Sequence, residues 1–307
     1  MKKRIQNRLA ESRFAFPVMI IYGLAVWLGA GTVAEGAYLQ LVFFVASTLL
    51  MMMLNNTNSL IRIYSRMVSC SFVAMTCAAT FLFSSLESCA TGMCFILFYL
   101  SLLRSYQDKR APGIAFYSFA CLGIASLFFV QILYFVPFLW ILMASNMMAL
   151  THRMFWATVL GLVMPYWFAV GYYVVTNQFD AFIDHFAELA QFEPLLQYEA
   201  LDIHRIAIFG LVVLLAVIGI IHYMRNSYLD KIRTRMIFEM FITVDILSFV
   251  FIILQPQHFD NLLPIIIVNT SCLFAHYVAL TRTWLTNVTF IVMCLATLGL
   301  TIFNLMP

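Results

Sequence analysis

One carboxylate lies in the middle of an apolar stretch, where a charge is costly. Asp245 stands within IFEMFITVDILSFVFIILQ. A charged side chain at the centre of a membrane helix costs at least about 2.5–3.5 kcal/mol, so it usually faces a cavity or a partner. If this stretch and the next one form an antiparallel pair, Asn269 lies at the depth of Asp245 and His276 lies nearer the cytoplasmic end. The three residues form a candidate intramembrane site, either a proton or ion pathway or a structural hydrogen-bonded group.

A second candidate is Glu35, in the short segment GAGTVAEGAYLQ. Its small neighbours let a backbone or a lipid head group approach. A carboxylate directly after the first apolar stretch can act as a general base on a substrate that a membrane lipid presents. It also fits an ordinary solvated loop charge. Glu35 is the candidate catalytic residue.

The polar segment 176–204 contains an acidic face at helical spacing. Phe179, Phe182 and Phe186 follow one face, and Asp180, Asp184 and Glu188 share the opposite one. This pattern predicts an amphipathic helix on the outer membrane interface. Carboxylates spaced by four and eight residues stand too far apart to bind one hard cation. We therefore expect a solvated face, with no metal and no other cofactor.

A shorter apolar stripe with two basic residues occurs in the segment Asn58 to Met67. Its spacing predicts a second, short amphipathic helix. Arg62 and Arg66 would then meet the phosphates of lipid head groups.

Composition indicates the elements that must position these residues. The chain of 307 residues is 64% hydrophobic and 10% charged, whereas a soluble domain carries roughly 25% charged residues. A membrane-spanning helix needs about 20 apolar residues. The sequence predicts an all-α transmembrane bundle that forms a single domain over 1–307. Eleven spans are expected, near 14–30, 37–54, 68–84, 89–103, 113–130, 131–149, 154–175, 206–222, 236–254, 262–280 and 286–305.

The distribution of basic residues fixes the expected orientation. The segment 113–150 can hold one or two spans, and only Gln131 marks a turn within it. With two spans, every Lys and Arg except Arg205 lies on the side of the N-terminus. Cytoplasmic loops of membrane proteins are enriched in this way. The N-terminus is therefore predicted to be cytoplasmic, and 176–204 to be a periplasmic loop.

Several function classes lack their signatures. Phosphate-binding GxxxxGK[ST], HExxH, GxSxG and GxGxxG motifs do not occur. The seven cysteines form no CxxC pair, so they are interpreted as core residues. The net charge of +3 comes without a basic surface interleaved with aromatic residues, which makes nucleic acid an unexpected partner.

Three segments, NNTNSLIRIYSRM, SLLRSYQDKRAPGIAFYSFACLGIASLFF and THRMFWATVLGLVMPYWFAVGYYVVTN, resemble an uncharacterised family of polytopic inner-membrane proteins of Bacteroides-like bacteria. This resemblance implies a location in a bacterial inner (cytoplasmic) membrane. The middle region is also distantly similar to membrane glycosyltransferases that use polyprenyl-phosphate sugars. In that class a carboxylate of the first outer loop acts as the base, and Glu35 occupies this position.

Three functional hypotheses follow. The first is an envelope-biogenesis protein that handles a lipid-linked substrate at its outer face, including glycosyltransferase-like chemistry, with Glu35 and the acidic loop as its working face. The second is a secondary transporter or flippase that uses Asp245. The third is a non-catalytic subunit that packs against other membrane proteins. Membrane lipids and a polyprenyl-phosphate-linked substrate are the expected partners.

Overall fold

Long apolar runs with few helix-breaking residues form helices throughout the chain. The computed structural model describes residues 4–191 and 201–306, and all regular structure within these ranges is helical. The α-helices are α1 Ile5–Ala10, α2 Ala15–Gly29, α3 Tyr38–Asn58, α4 Met67–Ala78, α5 Leu86–Leu102, α6 Pro112–Phe128, α7 Val136–Ser145, α8 His152–Val175, α9 Phe179–Ala187, α10 Ile203–Asn226, α11 Ile232–Leu254, α12 Phe259–Leu280 and α13 Trp284–Leu305. Short 3-10 turns extend several of them, at Thr80–Phe83, Leu103–Ser105, Val130–Phe135, Glu188–Ala190, Ser227–Leu229 and Pro256–His258.

Length and composition separate two groups of apolar helices. Within the described residues, seven are long and apolar enough to cross a membrane. They are Tyr38–Asn58, Leu86–Ser105, His152–Val175, Ile203–Leu229, Ile232–Leu254, Pro256–Leu280 and Trp284–Leu305. Four shorter apolar helices are Ala15–Gly29, Met67–Ala78, Pro112–Phe128 and Val130–Ser145. An all-helical fold compatible with a membrane protein is therefore confirmed.

The segment 113–150 forms two helices. Phe129 is extended, with φ −141° and ψ 91°, and this residue ends α6. The 3-10 turn Val130–Phe135, which contains Gln131, then leads into α7. The segment thus contains two helices, with the break two residues before Gln131, and two membrane spans in it remain a prediction.

Helix α12 forms the centre of the bundle and contacts α4, α5, α10 and α11. Its polar side chains Asn269, Thr270 and His276 are fully buried. Helices α8 and α13 lie at the periphery, where large apolar side chains such as Trp167 and Leu295 are exposed. Polar groups inside and apolar groups outside is the arrangement that lipid solvation favours.

The prediction of a short amphipathic helix in the segment Asn58 to Met67 is wrong. Helix α3 continues to Asn58, and Ser59 ends it in the left-handed conformation with φ 50°. The chain then follows bends up to the start of α4. Leu60 and Ile61, which are buried, turn into the protein. Packing of these two side chains outweighs the helical stripe.

The helix predicted near 179–190 is present as α9 and its 3-10 extension. Phe182 and Phe186 pack against Tyr166 of α8, whereas Asp180, Asp184 and Glu188 are exposed. The remainder of the predicted loop 176–204 falls partly on residues 192–200, which lie outside the described residues.

Contacts between turns define two ends of the bundle. At the first end, the guanidinium of Arg4 donates to the carbonyl of Arg282, and the guanidinium of Arg62 donates to the carbonyl of Leu229. We call this the basic end. At the opposite end, which we call the Glu35 end, the turn after α2 approaches the start of α10 and the end of α13.

Candidate functional site

Glu35 lies in a compact turn that the sequence builds with two glycines. Gly31 and Gly36 adopt positive φ angles of 72° and 87°, which side chains with a Cβ disfavour. The amide of Ala37 donates to the carbonyl of Thr32 at 3.0 Å and closes the turn. The turn leaves the Glu35 side chain exposed at the end of the bundle.

The Glu35 turn forms one wall of a polar pocket of about 380 Å³, which we call the Glu35 pocket. The other walls come from the 3-10 turn after α4, the first turn of α10 and the last turn of α13. Charged or ionisable lining residues are Glu35, Asp202, His204 and Arg205. Pockets of roughly 300–1,000 Å³ with a few convergent polar groups are typical of small-molecule sites.

His204 is held in the pocket wall by two contacts with the end of α13. Its ring stacks on Phe303 with centroids 4.5 Å apart, and its Nδ1 lies 2.7 Å from Asn304 Oδ1. Because Asn304 Nδ2 donates to the carbonyl of Ala78, His204 Nδ1 is the donor to Oδ1. In the neutral ring, Nε2 then remains as a hydrogen-bond acceptor.

Arg205 is positioned by a bidentate ion pair. Its Nε and Nη2 donate to the two carboxylate oxygens of Asp260, each at 2.9 Å. The guanidinium also lies over the ring of Phe81, 5.2 Å from the centroid. The fork geometry fixes the guanidinium plane and leaves Nη1 for a further acceptor.

The pocket carries more carboxylates than cations. Glu35 and Asp202 line it together with one guanidinium, that of Arg205, which Asp260 already binds. In addition, the buried hydroxyl of Thr32, which lines the pocket, has no hydrogen-bond partner among the described residues. This set of acceptors suits a ligand rich in hydroxyl donors, such as a sugar, better than a bare phosphate.

Asp245 occupies a separate, fully buried polar group in the middle of the bundle. Its Oδ2 accepts from Thr270 Oγ1 at 3.0 Å, and the neighbouring Asn269 accepts from the Tyr99 hydroxyl at 2.8 Å. Asp245 Oδ1 and Asn269 Nδ2 have no partner among the described residues. The arrangement ties α5, α11 and α12 together and retains unused hydrogen-bonding capacity.

His276, which the sequence groups with Asp245, binds a residue that sequence reasoning missed. Its Nε2 lies 3.0 Å from Asp230 Oδ2 at the basic end, and Arg62 approaches the same carboxylate. Asp230 is an isolated acid in the basic segment MRNSYLDKIRTR. A single acid among basic residues was the sequence signal that could have identified Asp230. Arg62, which is exposed, therefore also contacts Asp230 of the same chain.

The remaining candidates lie away from the Glu35 pocket. Helix α9 packs on α8, and Tyr134 donates to the carbonyl of Leu189, so its acidic face is not part of the pocket wall. Arg66 stands at the start of α4, at the basic end. No group of three or more His, Cys, Asp or Glu in residues 4–191 and 201–306 is arranged to hold a metal ion.

Comparisons with known proteins give no relative. The chain matches no protein-family model, no curated protein and no solved structure.

Proposed function

We propose that the protein crosses a bacterial inner membrane eleven times and acts in envelope biogenesis. The seven long helices and the four shorter apolar ones would each cross once, with the N-terminus in the cytoplasm. Basic residues at the end of the bundle that carries α1 support this orientation, because cytoplasmic loops are enriched in Lys and Arg. Helix α9 would then lie on the outer interface beside the Glu35 end.

In this proposal the Glu35 pocket binds the sugar of a lipid-linked substrate. One observation carries it: segments far apart in the sequence bring Glu35, His204 and Arg205 to a single polar pocket at one end of the bundle. Carboxylates and the hydroxyl of Thr32 supply acceptors and a donor for sugar hydroxyls. The lipid chain of the substrate would extend from the pocket into the bilayer beside it.

The chemistry would be glycosyl transfer with Glu35 as the base. The hydroxyl of an acceptor attacks the anomeric carbon, the bond to the polyprenyl phosphate breaks, and Glu35 takes the proton of that hydroxyl. Arg205 Nη1 would stabilise the charge that develops on the leaving phosphate. The distant similarity to polyprenyl-phosphate-sugar glycosyltransferases supports the same role for the carboxylate.

The test uses the purified chain in lipid nanodiscs with a polyprenyl-phosphate sugar that carries a photoactivatable group on the sugar. We expect labelled peptides that cover 29–40 and 201–206. Glu35→Gln and His204→Ala should each reduce this labelling, and Glu35→Gln should also abolish release of polyprenyl phosphate. Glu87→Gln is the matched control, because Glu87 is exposed near the same end and does not line the pocket. Equal labelling in all variants would refute the proposal.

A secondary transporter that uses Asp245 is the second candidate. The observation that favours it is the fully buried Asp245 carboxylate, one oxygen of which has no hydrogen-bond partner among the described residues. Burial of such a group costs free energy, and ionisable residues inside membrane helices usually serve a function. Asp245→Asn would abolish coupled transport and leave sugar labelling intact, whereas Glu35→Gln would do the reverse. If neither substitution changes a phenotype that deletion of the protein produces, a non-catalytic subunit of a membrane complex is the remaining function.

A further inference from the structure

A long apolar groove runs between α2 and α13 in the half of the bundle nearest the basic end. Both helices pack on α4, which forms the floor of the groove. The groove has a volume of about 400 Å³, and a hydrogen bond of 2.8 Å joins Tyr22 of its lining to Thr301 of α13. The groove and the Glu35 pocket share no lining residue.

The lining of the groove suits a hydrocarbon chain. Val18 and Met19 of α2 face Met293 and Leu298 of α13 across a floor that includes Met75. From Met67 to Met75 the floor helix rises about 12 Å, close to the roughly 15 Å of hydrocarbon that one leaflet contributes. The groove thus has the depth of one leaflet and opens at the basic end, beside Leu9 and Ser12.

Two basic residues adjoin that opening along the chain. Arg8 and Arg13 are exposed and adjoin the lining residues Leu9, Ser12 and Phe14 in the sequence. Glu11 is the single acidic residue between them. The opening therefore carries a net positive charge, which complements an anionic head group.

Arg66 adds a donor that no described residue accepts. It immediately precedes Met67, a lining residue, and lies within electrostatic reach of Cys70, another one. Its Nε donates to the Tyr64 hydroxyl, whereas its Nη1 is buried without a hydrogen-bond partner among the described residues. A buried guanidinium nitrogen without an acceptor is costly, and a phosphate oxygen is its best partner.

From these contacts we infer that the groove binds an anionic phospholipid of the leaflet at the basic end. One acyl chain fills the space between α2 and α13, and the phosphate receives hydrogen bonds from Arg66, with Arg8 and Arg13 beside it. The site differs from the Glu35 pocket in position and in ligand. It therefore does not depend on the function proposed above.

Crosslinking on the unaltered protein provides the first test. The chain is reconstituted with phosphatidylglycerol that carries a diazirine in its acyl chain, and labelled peptides are identified by mass spectrometry. We expect adducts in 14–22 and 290–298, and fewer with the corresponding phosphatidylcholine. Equal labelling by both lipids would overturn the inferred recognition of charge, and adducts elsewhere on the helices would overturn the site.

Substitutions provide the second test, with phosphatidylglycerol retained after detergent exchange as the readout. Arg66→Gln should weaken retention about fivefold, the usual contribution of one basic residue near an anionic surface. Arg110→Gln changes an exposed arginine in another turn at the basic end and should leave retention unchanged.

Ala74→Trp should fill the groove and expel the lipid, and Ala25→Trp on the outer face of α2 is its control. Unchanged retention in both Arg66→Gln and Ala74→Trp overturns the inference. Retention of polyprenyl phosphate in place of phosphatidylglycerol does so as well.

Discussion

The Nε2 atom of His276 lies 3.0 Å from Asp230 Oδ2, and the two side chains are 0% and 2% exposed. Arg62 Nε approaches the other oxygen of the same carboxylate at 3.6 Å. Asp230 therefore ties three parts of the chain together: the central helix α12, the turn between α10 and α11, and the segment between α3 and α4. One carboxylate thus links these three segments at the basic end.

Removal of that carboxylate should destabilise the fold. Asp230→Ala leaves the buried Nε2 of His276 without its acceptor and leaves Arg62 with the Leu229 carbonyl alone. A buried hydrogen-bonding group that loses its partner costs about 2 kcal/mol. The measurement is the free energy of unfolding in a detergent titration. Asp108→Ala is the control, because Asp108 is exposed and its carboxylate accepts from the backbone amide of Arg110. Equal losses in the two variants would show that Asp230 does not act as a tie.

Gly161 should not tolerate a methyl group. A Cβ at this position would lie 2.3 Å from the carbonyl oxygen of Phe116, because α8 and α6 pack in close contact there. Gly161→Ala should therefore lower the free energy of unfolding by about 2 kcal/mol, as overpacking does. Gly171 lies on the same helix with open space around it, so Gly171→Ala should be neutral or stabilise by up to about 1 kcal/mol. A neutral Gly161→Ala variant would contradict the close packing of α6 and α8.

Asp245→Asn should fold at least as well as the original chain. The amide oxygen can still accept from Thr270 Oγ1, and a neutral amide avoids the cost of a buried charge. Thr270→Val, in contrast, removes the donor to Asp245 and should cost about 1 kcal/mol. Both are measured as free energies of unfolding. A larger loss in Asp245→Asn than in Thr270→Val would mean that the carboxylate charge itself stabilises the bundle.

Reporter fusions test which end of the bundle faces which side. Asp108 and Tyr228 lie in turns at the basic end, and Ala190 follows α9 near the opposite end. Fusions after Asp108 and Tyr228 should report the cytoplasm, and a fusion after Ala190 the periplasm. If Ala190 reports the same side as Asp108, the arrangement of eleven spans fails.

Helix positions could be predicted from the sequence because an apolar run of sufficient length has few alternatives to a helix in lipid. The break at Phe129 was predictable to within two residues, since Gln131 interrupts the run. The helix predicted for 58–67 was wrong because helical spacing of apolar residues defines a common face only if the chain is helical. Ser59 ends the helix because it adopts the left-handed conformation, and a serine does not by itself predict that conformation.

The candidate site could be predicted only in part. Glu35 stood out because it follows the first apolar segment, but the other pocket walls come from residues 80–84, 202–205 and 304–306. The pairing of His204 with Asn304 depends on how α10 and α13 pack, and no local pattern encodes that packing. A usable signal existed in Arg205, the one basic residue on the predicted outer side. Its isolation pointed to a specific partner, and Asp260 provides it.

The burial of α12 has a consequence for how the chain is made. Asn269, Thr270 and His276 would be poorly accepted by lipid if this helix left the translocon alone. Its main contacts are α4, α5, α10 and α11, and the ribosome synthesises all of these earlier. The hydrogen-bond partners of these side chains, Tyr99, Asp245 and Asp230, also precede α12 in the chain. The order of synthesis thus matches the order in which these helices can pack, and α13 follows α12 in the chain.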